Sequence, residues 1–311
     1  MRRGRGKGER PMVIGDRASM VRMLVWQWRF VVVSGVSATA VWAAHDLGGL
    51  TFIELPTLPL AVVGAALGIF VSFRTNSSYD RWWEGRKLWG RMINTSRHFC
   101  MEVNRYLPSS ARPQKMALVK RHVAYVHTLR CRLRGEDPLK DTYALESFTD
   151  EEVKELEGSS NTTYRLLDMQ LRDIATYSDQ ELLNAFRLQT LDESLRHLLD
   201  IQGGCERIKK TPLPKIYGFI SVRMIQWFGA LMPAALVADL SWGCIPISML
   251  VTLGFHFISE TGRVLEDPFS TFYNGLPLST ISRMIEINVL EMMGEEELPA
   301  AHPPLNEFVI M

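Results

Sequence analysis

The chain has 311 residues, with 35 Lys+Arg against 34 Asp+Glu, a net charge of +1, and 8 Trp. So even a balance carries no electrostatic footprint for nucleic acid, and no nucleic-acid partner is expected. Four cysteines (Cys100, Cys131, Cys205, Cys244) without a C-x-x-C pair, and 7 His without H-E-x-x-H, leave no zinc site, redox motif or disulfide framework in view. No metal or cofactor is expected.

Residues 1–21 begin with MRRGRGKGER, a basic, glycine-rich tail with too few apolar residues to be a signal peptide. Residues 30–44, FVVVSGVSATAVWAA, are uncharged. With Leu24, Trp26 and Trp28 ahead of them they reach the roughly 20 residues that cross a bilayer as a helix. A short polar break at residues 46–54 contains Gly48 and Gly49. Residues 55–73 form a second uncharged run, with Pro56 and Pro59 in its first turn, where a missing N–H costs least. Residues 22–79 therefore read as two transmembrane helices. At Arg74 the second run passes into RTNSSYDRWWEGRKLWGRM, basic and aromatic yet still compatible with helix, as expected of a helix that leaves lipid for water.

Residues 80–215 are richer in charge. In ELLNAFRLQTLDESLRHLLDIQ, Leu182, Leu183, Phe186, Leu191, Leu195, Leu198 and Leu199 recur at helical spacing, so this region reads as soluble amphipathic helices. LRGEDPLKD and TDEEVKELEGSSNTT read as loops between them, and KKTPLPK closes the region. Within residues 216–262, the block 216–258 carries only Arg223, Asp239 and His256 as ionisable groups. It fits two further membrane helices joined by a tight turn near 239–243, or else one buried hairpin of a soluble core. Two separated hydrophobic pairs with tryptophans near their ends favour the membrane. In the closing segment, residues 263–311, one helical face carries Ile281, Met284, Ile285, Met292 and Met293, followed by Gly294 as a helix stop. That face packs on its own chain or on a neighbouring subunit.

Loop charge sets the orientation. Arg2, Arg3, Arg5, Lys7 and Arg10 precede the first span; Arg74, Arg81, Arg86, Lys87 and Arg91 follow the second; Arg207, Lys209, Lys210 and Lys215 precede the third. The loops at 46–54 and 239–243 hold no Lys or Arg. Both termini and the middle region are therefore expected in the cytoplasm, with four spans in the plasma membrane.

Two stripes mark the second span. Ala61, Gly64, Ala65, Gly68 and Ser72 are small, which lets membrane helices approach closely. Ala65, Ile69 and Phe73 repeat every four residues. This second stripe suits lipid or intrachain packing, or, in a symmetric oligomer, stacked apolar rings that gate by dewetting. Arg74, Arg81, Trp82 and Trp83 suit either an inner-mouth funnel for anions or an interfacial anchor in which arginine pairs with Asp80, Glu84 or lipid phosphate.

The segment GIFVSFRTNSSYDRWWEGRKLWGRMI resembles the signature of the bestrophin family, particularly its bacterial branch. TPLPKIY before the third span and EDPFSTFYNGLPLSTI after the fourth are similar to the family in the same order, and the resemblance runs from about residue 26 to 293. It implies an all-α membrane protein, four transmembrane helices per chain with a large cytosolic helical region, homopentameric around a central pore. Ions, chloride or other anions by preference and monovalent cations as the alternative, would pass passively through a hydrophobic neck. Carried over from the arginine of R-W-W, here Arg81, the neck residues are Phe73, Ile69 and Ala65, with Ala65 smaller than the family's usual outermost residue. A second, cytosolic aperture is carried over to Phe186. The resemblance also implies an absence: the acidic run with which animal members clasp calcium is replaced here by STFYNGLPL, which has no carboxylate. Two other readings stand beside the channel: a membrane scaffold, and a membrane-embedded enzyme, although no catalytic motif is recognisable.

Overall fold

The computed structural model describes residues 12–13, 27–271, 274–302 and 309–310. The basic tail, Leu24, Trp26 and part of the STFYNGLPL loop lie outside the described residues. In chain order the helices are α1 (Trp28–Trp42), α2 (Thr57–Tyr106), α3 (Arg112–Arg134), α4 (Thr142–Leu145), α5 (Asp150–Leu156), α6 (Thr162–Asp179), α7 (Ala185–Lys210), α8 (Lys215–Leu240), α9 (Cys244–Leu265) and α10 (Leu278–Met292). A two-residue antiparallel pair joins β1 (Met12–Val13) to β2 (Val309–Ile310), with Met12 opposite Ile310. Contacts divide the chain into two units. One comprises residues 15–82 and 212–266; the other comprises residues 1–14, 83–211 and 267–311.

The first unit holds α1, the first half of α2, α8 and α9. Three stretches are long and apolar enough to cross a membrane: Trp28–Leu47, Thr51–Tyr106 and Ile216–Leu265. The last contains both α8 and α9, separated by a 3-10 turn at Ser241–Gly243. Side chains here are sorted inside out. α1 buries Ser34 and Ala38 while Val32, Val33 and Val36 face outward. α9 buries Ser248, Thr252 and Ser259. Close approach depends on glycine: a Cβ on Gly229 would come within 2.8 Å of the Thr252 side chain. Helices that lie in lipid gain little from hiding apolar surface from each other, so small residues at contacts govern their packing.

The second unit is built around α3, against which α4, α6, α7 and α10 pack. Every residue of α3 from Arg121 to Cys131 is buried. Its charged groups enter the core in pairs, as burial of charge demands. Arg121 binds Glu152 and Asp173, Arg130 binds Asp141, and His127 Nε2 lies 3.0 Å from Glu286. His122 is the exception: both ring nitrogens lack hydrogen-bond partners among the described residues, and the ring lies against Phe99 and Tyr125. Burial pushes its pKa down to about 3.

One local expectation is corrected here. TDEEVKELEGSSNTT is not all loop, because Asp150–Leu156 forms α5. Thr149 accepts from Glu152 N while the Glu152 side chain accepts from Thr149 N, a capping box written in the T-x-x-E spacing. The leucine-rich stretch at 181–202 opens on a turn, residues 181–184, before its helix. α6 has already ended at Asp179, and Asn184 caps α7 by accepting from Arg187 N at 2.9 Å. At the chain's far end, α10 stops at Gly294, whose φ of 76° admits the bonds Gly294 N to Glu291 O and Glu295 N to Leu290 O. Ile281, Ile285, Val289 and Met293 are buried, and α10 packs on α3 of its own chain.

Candidate pore lining and inner-mouth site

The membrane half of α2 has two unlike faces. Leu67 and Val71 are fully buried in a cluster with Ile225 and Phe228, flanked by Leu60, Met224, Met232, Val251 and Phe255. The small-residue stripe belongs in part to this packed face. A Cβ on Gly64 would lie 2.9 Å from the Phe228 ring, and one on Gly68 would lie 3.6 Å from the Phe255 ring. Phe228 and Phe255 themselves meet edge to face at 5.5 Å. Gly64 thus gives the Phe228 ring room against the α2 backbone, while at Gly68 a Cβ would make only an ordinary contact with Phe255.

The other face carries the residues picked out by spacing. Ala65, Ile69 and Phe73 are all exposed, Ile69 by 61% and Phe73 by 68%. A spacing of four keeps them on one side of the helix, one turn above another.

Arg74 is rotated about 100° from Phe73 and points inward. It is buried, its Nη1 donates to Ser259 Oγ at 3.2 Å, and its Nη2 lies 3.8 Å from Glu266 Oε2. Gly218 makes the space, since a Cβ there would sit 3.1 Å from Arg74 Nη2. The expected pairing with Asp80 or Glu84 is replaced for Arg74 by Glu266, while Glu84 binds Arg207. At the next residue Thr75 Oγ1 donates to Ile258 O at 3.1 Å, and two turns on from Arg74 Arg81 Nε donates to Glu266 O at 2.8 Å. The two arginines therefore tie α2 to the end of α9. Trp82 stacks with Tyr79 at 6.4 Å, and Trp83 is exposed. Ser259 and Gly218 were not singled out by pattern, because nothing in their spacing reveals that α8 and α9 converge on Arg74.

Phe186 is the second residue of α7 and is 82% exposed, clear of the core that takes Leu191, Leu195 and Leu198. Among the described residues no group of three or more His, Cys, Asp or Glu is placed to hold a metal ion. All four cysteines are free and buried.

Outward-facing apolar helices packed through small residues, with serines and an arginine turned inward, define an α-helical membrane protein. The chain matches the Bacterial/Fungal Bestrophin protein family over residues 9–291 and belongs to that family. It is 34% identical over 281 residues to a voltage-dependent anion channel-forming protein of Mesorhizobium japonicum, covering 90% of this chain and 88% of that protein. It is also 34% identical over 259 residues to the voltage-dependent anion channel-forming protein YneE of Escherichia coli, covering 83% of this chain and 82% of that one. Among solved structures, the bacterial bestrophin homolog from Klebsiella pneumoniae superposes with a TM-score of 0.81 at 30% identity, over 88% of this chain and 98% of that chain.

Proposed function

We infer that this chain forms a passive anion channel of the plasma membrane, a homopentamer in which α2 of each subunit lines a central pore. α1, the first half of α2, α8 and α9 are its four membrane helices, with both termini and the second unit in the cytoplasm. The observation that carries the reading is the split character of α2. Leu67 and Val71 are locked into the subunit's own core, while Ala65, Ile69 and Phe73 stand free on the opposite face at a spacing of four. Five copies of such a face stack into apolar rings, narrowest at Phe73 and Ile69 and wider at Ala65, which impede hydrated ions by dewetting. Phe186, exposed at the start of α7, forms a second constriction in the cytosolic vestibule. Arg81, Trp82 and Trp83 anchor the inner mouth at the headgroup level. Aliphatic and aromatic rings carry no net charge, so the preference for chloride over monovalent cations rests on the relatives named as anion channel-forming proteins.

Purified protein reconstituted in a planar bilayer under a salt gradient tests this directly. Single-channel current with a reversal potential near the chloride equilibrium value is expected. A reversal potential at the cation value overturns the selectivity, and absence of current overturns the channel. Native mass spectrometry should give five chains. For topology, a cysteine at the exposed Phe52 should label from outside intact cells and one at the exposed Tyr164 should not.

A further inference from the structure

A cavity of about 300 Å³ opens beside Arg74, with Tyr217, Phe219, Ser259, Glu260, Arg263 and Glu266 in its lining. Its depth follows from helix rise. Arg74 lies about 26 Å along α2 from Thr57 and Ser259 about 22 Å along α9 from Cys244, at 1.5 Å per residue. Tyr217 and Gly218 belong to the first turn of α8. All three helices therefore reach the cavity near the inner edge of a hydrocarbon core about 30 Å thick, which is headgroup depth.

The lining combines apolar side chains with two arginines, two carboxylates and His256. Arg263 and Glu260 pair with each other at close range through two guanidinium nitrogens. Arg74 and Glu266 do not close in the same way. Arg74 Nη2 and Glu266 Oε2 are 3.8 Å apart, an ion pair too long for a hydrogen bond, although Arg74 is buried. An opposed guanidinium and carboxylate, held apart inside one cavity, present a donor fork for an anion and an acceptor for a cation side by side. Phe219 of α8 lines the cavity and is an exposed apolar side chain on which an acyl chain can lie.

We propose that this cavity binds the headgroup of a zwitterionic aminophospholipid, with the phosphate on Arg74 and the primary ammonium on Glu266. A quaternary ammonium has no N–H to give the carboxylate, and a glycerol headgroup has no positive charge, so phosphatidylethanolamine fits better than phosphatidylcholine or phosphatidylglycerol. The site rests on the membrane reading of α2, α8 and α9, but its test involves no current. Failure of the pore proposal leaves the lipid result readable, and the reverse holds.

The full-length protein, delipidated in detergent, is offered an equimolar mixture of phosphatidylethanolamine, phosphatidylglycerol and phosphatidylcholine with identical acyl chains. Lipid retained per subunit is then read by native mass spectrometry. Phosphatidylethanolamine should be retained about five-fold or more over either competitor, about seven-tenths of the free energy of a tenfold step in affinity. Glu266→Gln, at a partly exposed carboxylate, should fold and bring the three lipids to near parity. Arg74→Lys keeps the charge but loses the fork, and should weaken retention of all three. Phosphatidylglycerol retained as well as or better than phosphatidylethanolamine, equal retention of all three, or an unchanged preference in Glu266→Gln each overturns the proposal. Phosphoethanolamine alone should leave the melting temperature where it was. If it raises that temperature as the lipid does, the ligand is a soluble zwitterion and the lipid assignment falls.

Discussion

On α1 the outward residues are Val32, Val33 and Val36 and the buried ones are Ser34 and Ala38; on α3 an unbroken run from Arg121 to Cys131 is buried, charges included. The two helices answer to different solvents. Around α1 the surroundings are as apolar as valine, so nothing drives valine inward, and contact goes to whatever lets backbones approach. Around α3 water drives leucines and valines together, and arginine or histidine follows them only where a carboxylate or an aromatic wall receives it. α2 carries both kinds of face within its membrane half: a packed face that needs glycine at 64, and a free face of Ala65, Ile69 and Phe73.

The comparison is broken hardest in the water-soluble regime. Leu198 is fully buried on α7, so Leu198→Ala should cost about 2–5 kcal/mol in denaturant unfolding of the detergent-solubilised protein. Val33→Ala, at an outward position of α1, should stay within about 0.5 kcal/mol of wild type. Equal losses at the two positions would mean that α1 is packed against protein rather than lipid.

Next comes the packed face of α2. Gly64→Val adds bulk where even a Cβ meets the Phe228 ring at 2.9 Å, and overpacking should cost about 1–3 kcal/mol, read as a lower melting temperature.

Acid probes the buried histidines of α3. The His122 pKa lies at about 3 when folded against an ordinary 6.5, so the unfolded chain binds the extra proton between those values. Stability from this residue is complete above pH 6.5 and falls as pH drops toward 3, by about 1.4 kcal/mol per pH unit. The pKa of His127 is lowered as well, by burial first, and acts in the same sense. His122→Phe removes a ring that has no hydrogen-bond partner among the described residues and sits against Phe99 and Tyr125. It should flatten the acid limb while leaving stability at pH 7.5 intact, as measured by urea titration across pH.

The free face of α2 should show the smallest effect on stability and a large one on current. The double variant Ile69→Ala with Phe73→Ala should assemble and melt within about 0.5 kcal/mol of wild type, yet conduct more and gate less. A lost oligomer would reassign these residues to packing, and unchanged conductance would remove them from the limiting part of the pore. Smallest of all, calcium from nominally zero to millimolar should leave the current unchanged, because STFYNGLPL supplies no carboxylate.

Sequence alone picked out the stretches apolar enough to cross a membrane, because hydropathy and charge are properties of a stretch and need no partner. The uncharged runs at 30–44 and 55–73, the abrupt change at Arg74, the four-residue repeat of Ala65, Ile69 and Phe73 and the stop at Gly294 were all legible for that reason. The T-x-x-E capping box of α5 was equally local and was passed over in favour of its loop-like composition. Only tertiary structure decided partners. That Gly64 and Gly68 face Phe228 and Phe255, that Arg74 turns inward to Ser259 and Glu266 rather than to Asp80 or Glu84, and that His127 meets Glu286 follow from how helices distant in sequence converge. A guanidinium can satisfy itself with any acid in reach, and reach is set by packing, not by spacing along the chain.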